Sequence, residues 1–259
     1  MARFVLPNGF IYNIIITNNT LMNKMKKFYF HTSLLLMCFA AVLLSSCGGV
    51  DDDDIPTPVD LYNGHEYVDL GLKVKWATCN VGASKPWEYG DYFAWGETKP
   101  KTDYSWSTYK FTTGGVGTFT FPNYTGSDKT VLDAADDAAA ANWGGAWRMP
   151  TYEEVQDLLD NCTWEWQAAG NTTFGGVAGY KVTSKKTGYT DKYIFLPAAG
   201  GRSGTDVLFD AGSWCRYWSS SLVADSPMLA YSTIIGSEYK IWGNCTRDCG
   251  FTVRPVLQN

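Results

Sequence analysis

All eleven tryptophans of this 259-residue chain lie beyond residue 75: Trp76, Trp87, Trp95, Trp106, Trp143, Trp147, Trp164, Trp166, Trp214, Trp218 and Trp242. Rings of that size each bury a large area. Spaced along the whole length, they suit a loop-rich fold with few regular elements, its core built by aromatic packing. About eight are expected to pack the core, with up to three left to touch partners.

The first 58 residues follow different rules. Lys24, Lys26 and Lys27 precede an apolar stretch over 28–44, which closes on Leu44-Ser45-Ser46-Cys47. Charge, then an apolar run, then small residues before a cysteine is the order of a secretory signal of the lipoprotein type. A stretch of about 17 apolar residues is near the lower limit for a membrane span. With Met25 as the start, 25–46 is the signal, 1–24 an upstream over-extension, and Cys47 the lipidated first residue of the mature chain. Lipid on Cys47 holds the protein on a membrane, each buried methylene contributing about 0.8 kcal/mol. Asp51, Asp52, Asp53 and Asp54 repel one another and keep 47–58 an extended, solvated tether. This start also resembles lipoproteins of the Bacteroides group, in which an acidic run after the lipidated cysteine directs export. The resemblance implies a place on the bacterial outer membrane, facing the cell exterior.

Four of the 21 basic residues and none of the 26 acidic ones precede Cys47, so the mature chain carries a formal net charge of −9. That balance argues against a nucleic-acid partner. Residues 57–259 suffice for one well-buried domain, and neither a Pro/Ser linker nor a charge block divides them. Of seven cysteines, Cys79, Cys162, Cys215, Cys245 and Cys249 remain once Cys38 and Cys47 are set aside. No pair shows the two-residue zinc spacing and His65 is the one histidine after the signal, so no metal or other cofactor is expected. Cys79 with Cys162 is a candidate disulfide for an oxidising compartment, and the spacing leaves connectivity open.

Apolar residues alternate over 66–72 and 73–79 around Gly71, predicting a β-hairpin. Thr151-Tyr152-Glu153-Glu154 is a capping box after Pro150, and Val155, Leu158, Leu159 and Cys162 form the apolar stripe of the helix it starts. An alanine-rich helix is predicted over 132–141. Strands are predicted over 179–184, 193–197, 216–220, 229–235 and 251–256. The fold class is α+β, with short strands, two helices and long aromatic, glycine-rich loops.

Six motifs occur in order: Tyr67-Val68-Asp69-Leu70-Gly71-Leu72, Trp76-Ala77-Thr78-Cys79-Asn80-Val81-Gly82-Ala83, Tyr89-Gly90-Asp91-Tyr92-Phe93-Ala94-Trp95-Gly96-Glu97, Trp143-Gly144-Gly145-Ala146-Trp147-Arg148-Met149-Pro150-Thr151, Tyr217-Trp218-Ser219-Ser220-Ser221 and Val253-Arg254-Pro255-Val256. They resemble the Fibrobacter major paralogous domain family over nearly the whole mature chain. The resemblance implies one C-type-lectin-like domain over 59–259, of the variant shared with formylglycine-generating enzymes and with ligand-binding proteins diversified by retroelements. In that fold the C-terminal strands and loops build the binding face, here 218–256.

The candidate ligand-binding residues on that face are Val223, Ala224, Asp225, Leu229, Ser232, Ile234, Tyr239, Ile241, Trp242, Asn244, Cys245, Thr246, Asp248 and Cys249. Their periodicity is weaker than core packing favours. Adenine-directed mutagenesis of asparagine codons in retroelement-diversified relatives yields Tyr, Ser, Thr, Ile, Asp and Cys, types that occur here. With Tyr231, Thr233 and Ile235 facing inward, Ser232 and Ile234 face out; Thr233 departs from the leucine-like residue of the relatives. The competing reading makes 229–235 an ordinary buried strand and 244–249 an ordinary loop, with Cys245 and Cys249 joined locally.

Enzymatic chemistry has little to work with. His65 alone would serve any Ser-His-Asp or Cys-His arrangement. Cys245 with Cys249 sits in no motif matching the copper-binding cysteine pair of formylglycine-generating relatives. Adjacent carboxylates such as Asp136 and Asp137, or Glu153 and Glu154, point differently around their helices. The expectation is a surface-anchored, non-enzymatic protein that binds a protein or glycan ligand, Tyr239 and Trp242 supplying aromatic anchors. A structural envelope protein without soluble ligand and a cryptic oxidoreductase or hydrolase are the rival classes.

Overall fold

The computed structural model describes residues 2–5, 11–14, 60–115, 118–205 and 207–259; for 2–5, 11–14, 241 and 242 it describes the backbone alone. Cys47, the signal and the tether lie outside the described residues. The chain divides into two units, 1–51 and 52–259. In the first, β1 (Ala2–Val5) pairs antiparallel with β2 (Ile11–Ile14).

The second unit is a set of antiparallel sheets with two short helices. β3 (Asp60–Tyr62), β4 (His65–Val68) and β5 (Val74–Ala77) run antiparallel, Val68 opposite Trp76. The predicted hairpin is therefore present with shorter strands. Its connection needs Gly71, at φ +66°, because the Tyr189 ring lies where a Cβ would project.

The predicted alanine-rich helix divides. A 3₁₀ turn covers Ala134–Asp136 and α1 covers only Ala138–Trp143. Asp137 is the reason: its buried carboxylate accepts hydrogen bonds from the Ala139 and Ala140 N–H groups at one oxygen and from the Met149 N–H at the other. A side chain engaged with those donors caps a helix rather than riding inside one. α2 (Tyr152–Asn161) starts at the predicted capping box, with Thr151 and Glu154 bonding reciprocally. It buries Val155 and Leu158, while Cys162 is buried as the first residue of a strand.

That strand, β6 (Cys162–Gln167), pairs with β7 (Gly179–Ser184), which pairs with β8 (Tyr193–Pro197). The short hairpin β9 (Gly201–Ser203) with β10 (Val207–Phe209) follows. β11 (Trp214–Cys215) and β12 (Trp218–Leu222) share one side of β13 (Leu229–Gly236), whose other side holds β14 (Lys240–Thr246). The predicted strand over 251–256 is instead a series of single bridges, Phe93 with Phe251 and Tyr217 with Thr252, before β15 (Val256–Gln258) pairs with β5.

Two clusters form the core. One joins Trp95, Trp143, Trp147, Trp218 and Phe251; the other joins Trp76, Leu158, Trp164, Tyr180 and Val256. Among the described side chains six tryptophans are buried, fewer than the eight expected, and Trp87, Trp106, Trp166 and Trp214 are half-buried.

The motifs interlock. Trp95 Nε1 donates to Ser219 O at 2.9 Å, and Trp218 Nε1 donates to Phe93 O at 2.8 Å. Arg254, fully buried, donates to Asn80 Oδ1 and to the carbonyls of Ala77, Thr78 and Phe195. A buried guanidinium satisfied this way ties three chain segments to one point.

Candidate functional site

The β13–β14 hairpin is the frame of the candidate face. Residues directly opposite share one face of a pair, and alternate residues along a strand share it too. Leu229 opposes Thr246 and Tyr231 opposes Asn244. All four are half-buried. The turn before β13 is closed by Val223 N–H donating to Leu229 O and Ser226 N–H donating to Val223 O. It sets half-buried Val223 and exposed Ala224 and Asp225 beside this end of the hairpin. Tyr152, from the first turn of α2, brings its ring to 4.4 Å from that of Tyr231.

Burial pushes the Tyr231 hydroxyl above its usual range, and the neighbouring Tyr152, Asp225 and Glu153 add to the effect. Two aromatic rings, an amide, a hydroxyl and two exposed carboxylates thus meet on one surface. They can stack on a flat apolar group and exchange hydrogen bonds with it. Neither Tyr152 nor Tyr231 belongs to the sequence-derived set: the first reads as a helix N-terminus, the second as core.

The expected register holds for Thr233 and Ile235, both buried, and is corrected at Ser232 on the opposite face. Ser232 is 0% exposed and faces Gly243, whose missing side chain leaves room for the Ile234 side chain. Ile234 is half-buried. Cys245 opposes Ala230 on this inner side. Thr233 is also buried, for a reason the sequence conceals. The side of β13 that carries β11 and β12 is interrupted at 216–217, and Thr233 Oγ1 accepts from Tyr217 N–H and donates to Cys215 O across the break. A leucine there could make neither bond.

The candidate residues therefore separate. Val223, Ala224, Asp225, Leu229, Asn244 and Thr246 gather at one end. Tyr239, 37% exposed, sits at the tip of the tight turn closed between Gly236 and Tyr239. Seven residues of β14 separate the two ends, roughly 20 Å at the rise of a strand. Ile241 and Trp242 lie along β14 between them. Ser232, Cys245, Asp248 and Cys249 are buried and support the face from beneath.

Arg247 is the supporting residue that sequence reading missed. It is fully buried, with its guanidinium 4.7 Å from the Trp95 ring centre and near those of Tyr109, Phe111, Phe121 and Tyr124. It donates to Tyr109 Oη at 2.8 Å and to the carbonyls of Asn123, Tyr124 and Pro227. Burial lowers its pKa, and Tyr109 opposes that shift. Aromatic faces and carbonyl oxygens together replace the water around the cation. Next to it, burial raises the Asp248 carboxyl to about 6, and its Oδ1 has no hydrogen-bond partner.

Among the described residues, Cys79 and Cys162 are separate thiols rather than a disulfide, and no group of three or more His, Cys, Asp or Glu side chains is placed to hold a metal ion. No helix among them is long and apolar enough to cross a membrane. An apolar cleft lined by Val68, Pro86, Trp87, Phe174, Tyr193 and Phe195 is formed by other parts of the domain. Comparison of the chain with protein-family models, with curated proteins and with solved structures finds no match.

Proposed function

We propose that this protein is a binding module of the Fibrobacter major paralogous domain type, with a C-type-lectin-like domain displayed from the bacterial outer membrane by lipid on Cys47. The domain captures a protein or glycan ligand with the end of the β13–β14 hairpin. The observation that carries this reading is the surface formed by Tyr152, Tyr231, Leu229, Asn244 and Thr246: mixed in chemistry, half-open to solvent, and mounted on a rigid support of buried tryptophans and Arg247. Preorganised aromatic and polar groups lower the ordering cost of binding. The interlocked motifs hold the scaffold constant, while the residues between them differ in chemistry from a packed strand.

Anchorage and capture are tested separately. Cys47→Ser is expected to release the protein from the membrane fraction, and protease added to intact cells is expected to digest it; resistance until lysis contradicts surface display. Arrays of glycans and of envelope or host proteins are expected to yield a saturable ligand for the purified domain. An array with no hit, from folded protein, favours a structural envelope role.

A further inference from the structure

Cys245, the penultimate residue of β14, and Cys249 place their sulfur atoms 3.4 Å apart. Both are enclosed, at 7% and 4% exposure. The segment between them is fixed from several sides. Arg247 N–H donates to Met228 O, Arg247 O accepts from Trp95 N–H, and Cys249 N–H donates to Thr246 O. Thr246 Oγ1 lies 3.3 Å from Cys249 Sγ. The described contacts of two other cysteines are with oxygen, Cys79 with Thr78 Oγ1 and Cys215 with Leu196 O.

A disulfide needs its sulfurs about 2.0 Å apart, so this pair must close by about 1.4 Å. Rotation of the two side chains within a turn already held by backbone bonds can supply much of that movement. We propose that Cys245 and Cys249 are an oxidation site, a dithiol that a small-molecule disulfide converts to an intramolecular disulfide clasping the end of β14 to the turn beyond it.

Local opening of the turn admits the oxidant, R–S–S–R. One cysteine thiolate attacks one of its sulfurs and expels R–S⁻; the other cysteine's thiolate then attacks the sulfur of the first and expels the second R–S⁻. Two electrons pass from the cysteine pair to the oxidant, and the two cysteine protons end on two R–SH. The two sulfurs are each other's neighbours, so either can make the first attack and the other then resolves the mixed disulfide. The clasp lies directly beneath Asn244 and Thr246, so it sets the rigidity of the candidate face. It depends on the two sulfurs alone and stands whether or not the face binds a ligand.

Reduced, purified protein is treated with oxidised glutathione, alkylated while unfolding and cleaved with trypsin. Arg247 lies between the cysteines and Lys240 before them, so the disulfide appears as peptide 241–247 joined to peptide 248–259. The expected result is that this joined pair predominates, that Cys79, Cys162 and Cys215 are alkylated, and that amide exchange over 243–249 slows severalfold on oxidation. Recovery of Cys245 and Cys249 as alkylated thiols overturns the proposal, as does oxidation directed to Cys79-linked dimers. The assay runs on the natural sequence, so it does not depend on a cysteine variant folding; circular dichroism before and after oxidation checks that both forms are native.

Discussion

The rings of Tyr152 and Tyr231 lie 4.4 Å apart at a 39° tilt, one at the first turn of α2 and the other in β13. This contact joins helix to hairpin at the surface while leaving both rings half-exposed. An aromatic pair of this kind contributes about 1 kcal/mol beyond its buried area. Tyr231→Ala is therefore expected to lower stability by about 1–2 kcal/mol in urea unfolding, a modest loss that leaves the fold populated.

Arg247 has the opposite profile. Truncation to methionine leaves Tyr109 Oη and the carbonyls of Asn123, Tyr124 and Pro227 without their donor inside an aromatic enclosure. A loss of roughly 3–5 kcal/mol is expected, read as a shift of the urea midpoint. Arg247→Lys should recover little of it, because one ammonium cannot reproduce the planar fork.

Asp248 makes stability depend on pH. Its folded-state pKa, about 6, lies above the ordinary aspartate value of 3.8 because burial disfavours the charge. The folded state thus holds the proton more tightly than the unfolded state. Its contribution is fully present below about pH 4 and is lost as pH rises through about 6. Asp248→Asn is expected to raise stability near pH 7.5 by about 3 kcal/mol, with the gain shrinking towards pH 4. Urea unfolding of both proteins at the two pH values measures it.

At the break between α1 and the preceding 3₁₀ turn, Asp137 meets three backbone N–H groups with one carboxylate. Asp137→Ala is expected to cost roughly 2–3 kcal/mol, more than an exposed cap, because Met149 N–H is left unpaired in the interior. Thermal unfolding checks the size.

Asp137 also shows where sequence patterning reaches its limit. The alanine run over 138–141 was readable as helix, but the cap that stops it from beginning at Leu132 depends on Met149, twelve residues further on. The capping box at Thr151 was fully legible because all its partners are local. Strands β7 and β8 matched their predicted bounds, since each is bounded by turn residues and carries buried β-branched or aromatic side chains. β14 was not recognised: Gly243 and Asn244 interrupt its apolar pattern, and β13 alone supplies its pairing. At the candidate face, the sequence names the residues but not their geometry. Ser232 looks like a surface residue until Trp218 and Gly243 are seen on either side of it, and Tyr152 belongs to the face only through a contact 79 positions away in sequence.

The most direct test of the binding account is a titration of the domain's array-selected ligand against the natural protein, Tyr231→Ala with Asn244→Ala, and Trp87→Ala in the separate apolar cleft. The account predicts at least a tenfold weaker Kd, about 1.4 kcal/mol, for the Tyr231/Asn244 double variant and an unchanged Kd for Trp87→Ala. Equal affinity for the natural protein and the folded double variant would contradict it, as would a loss confined to Trp87→Ala.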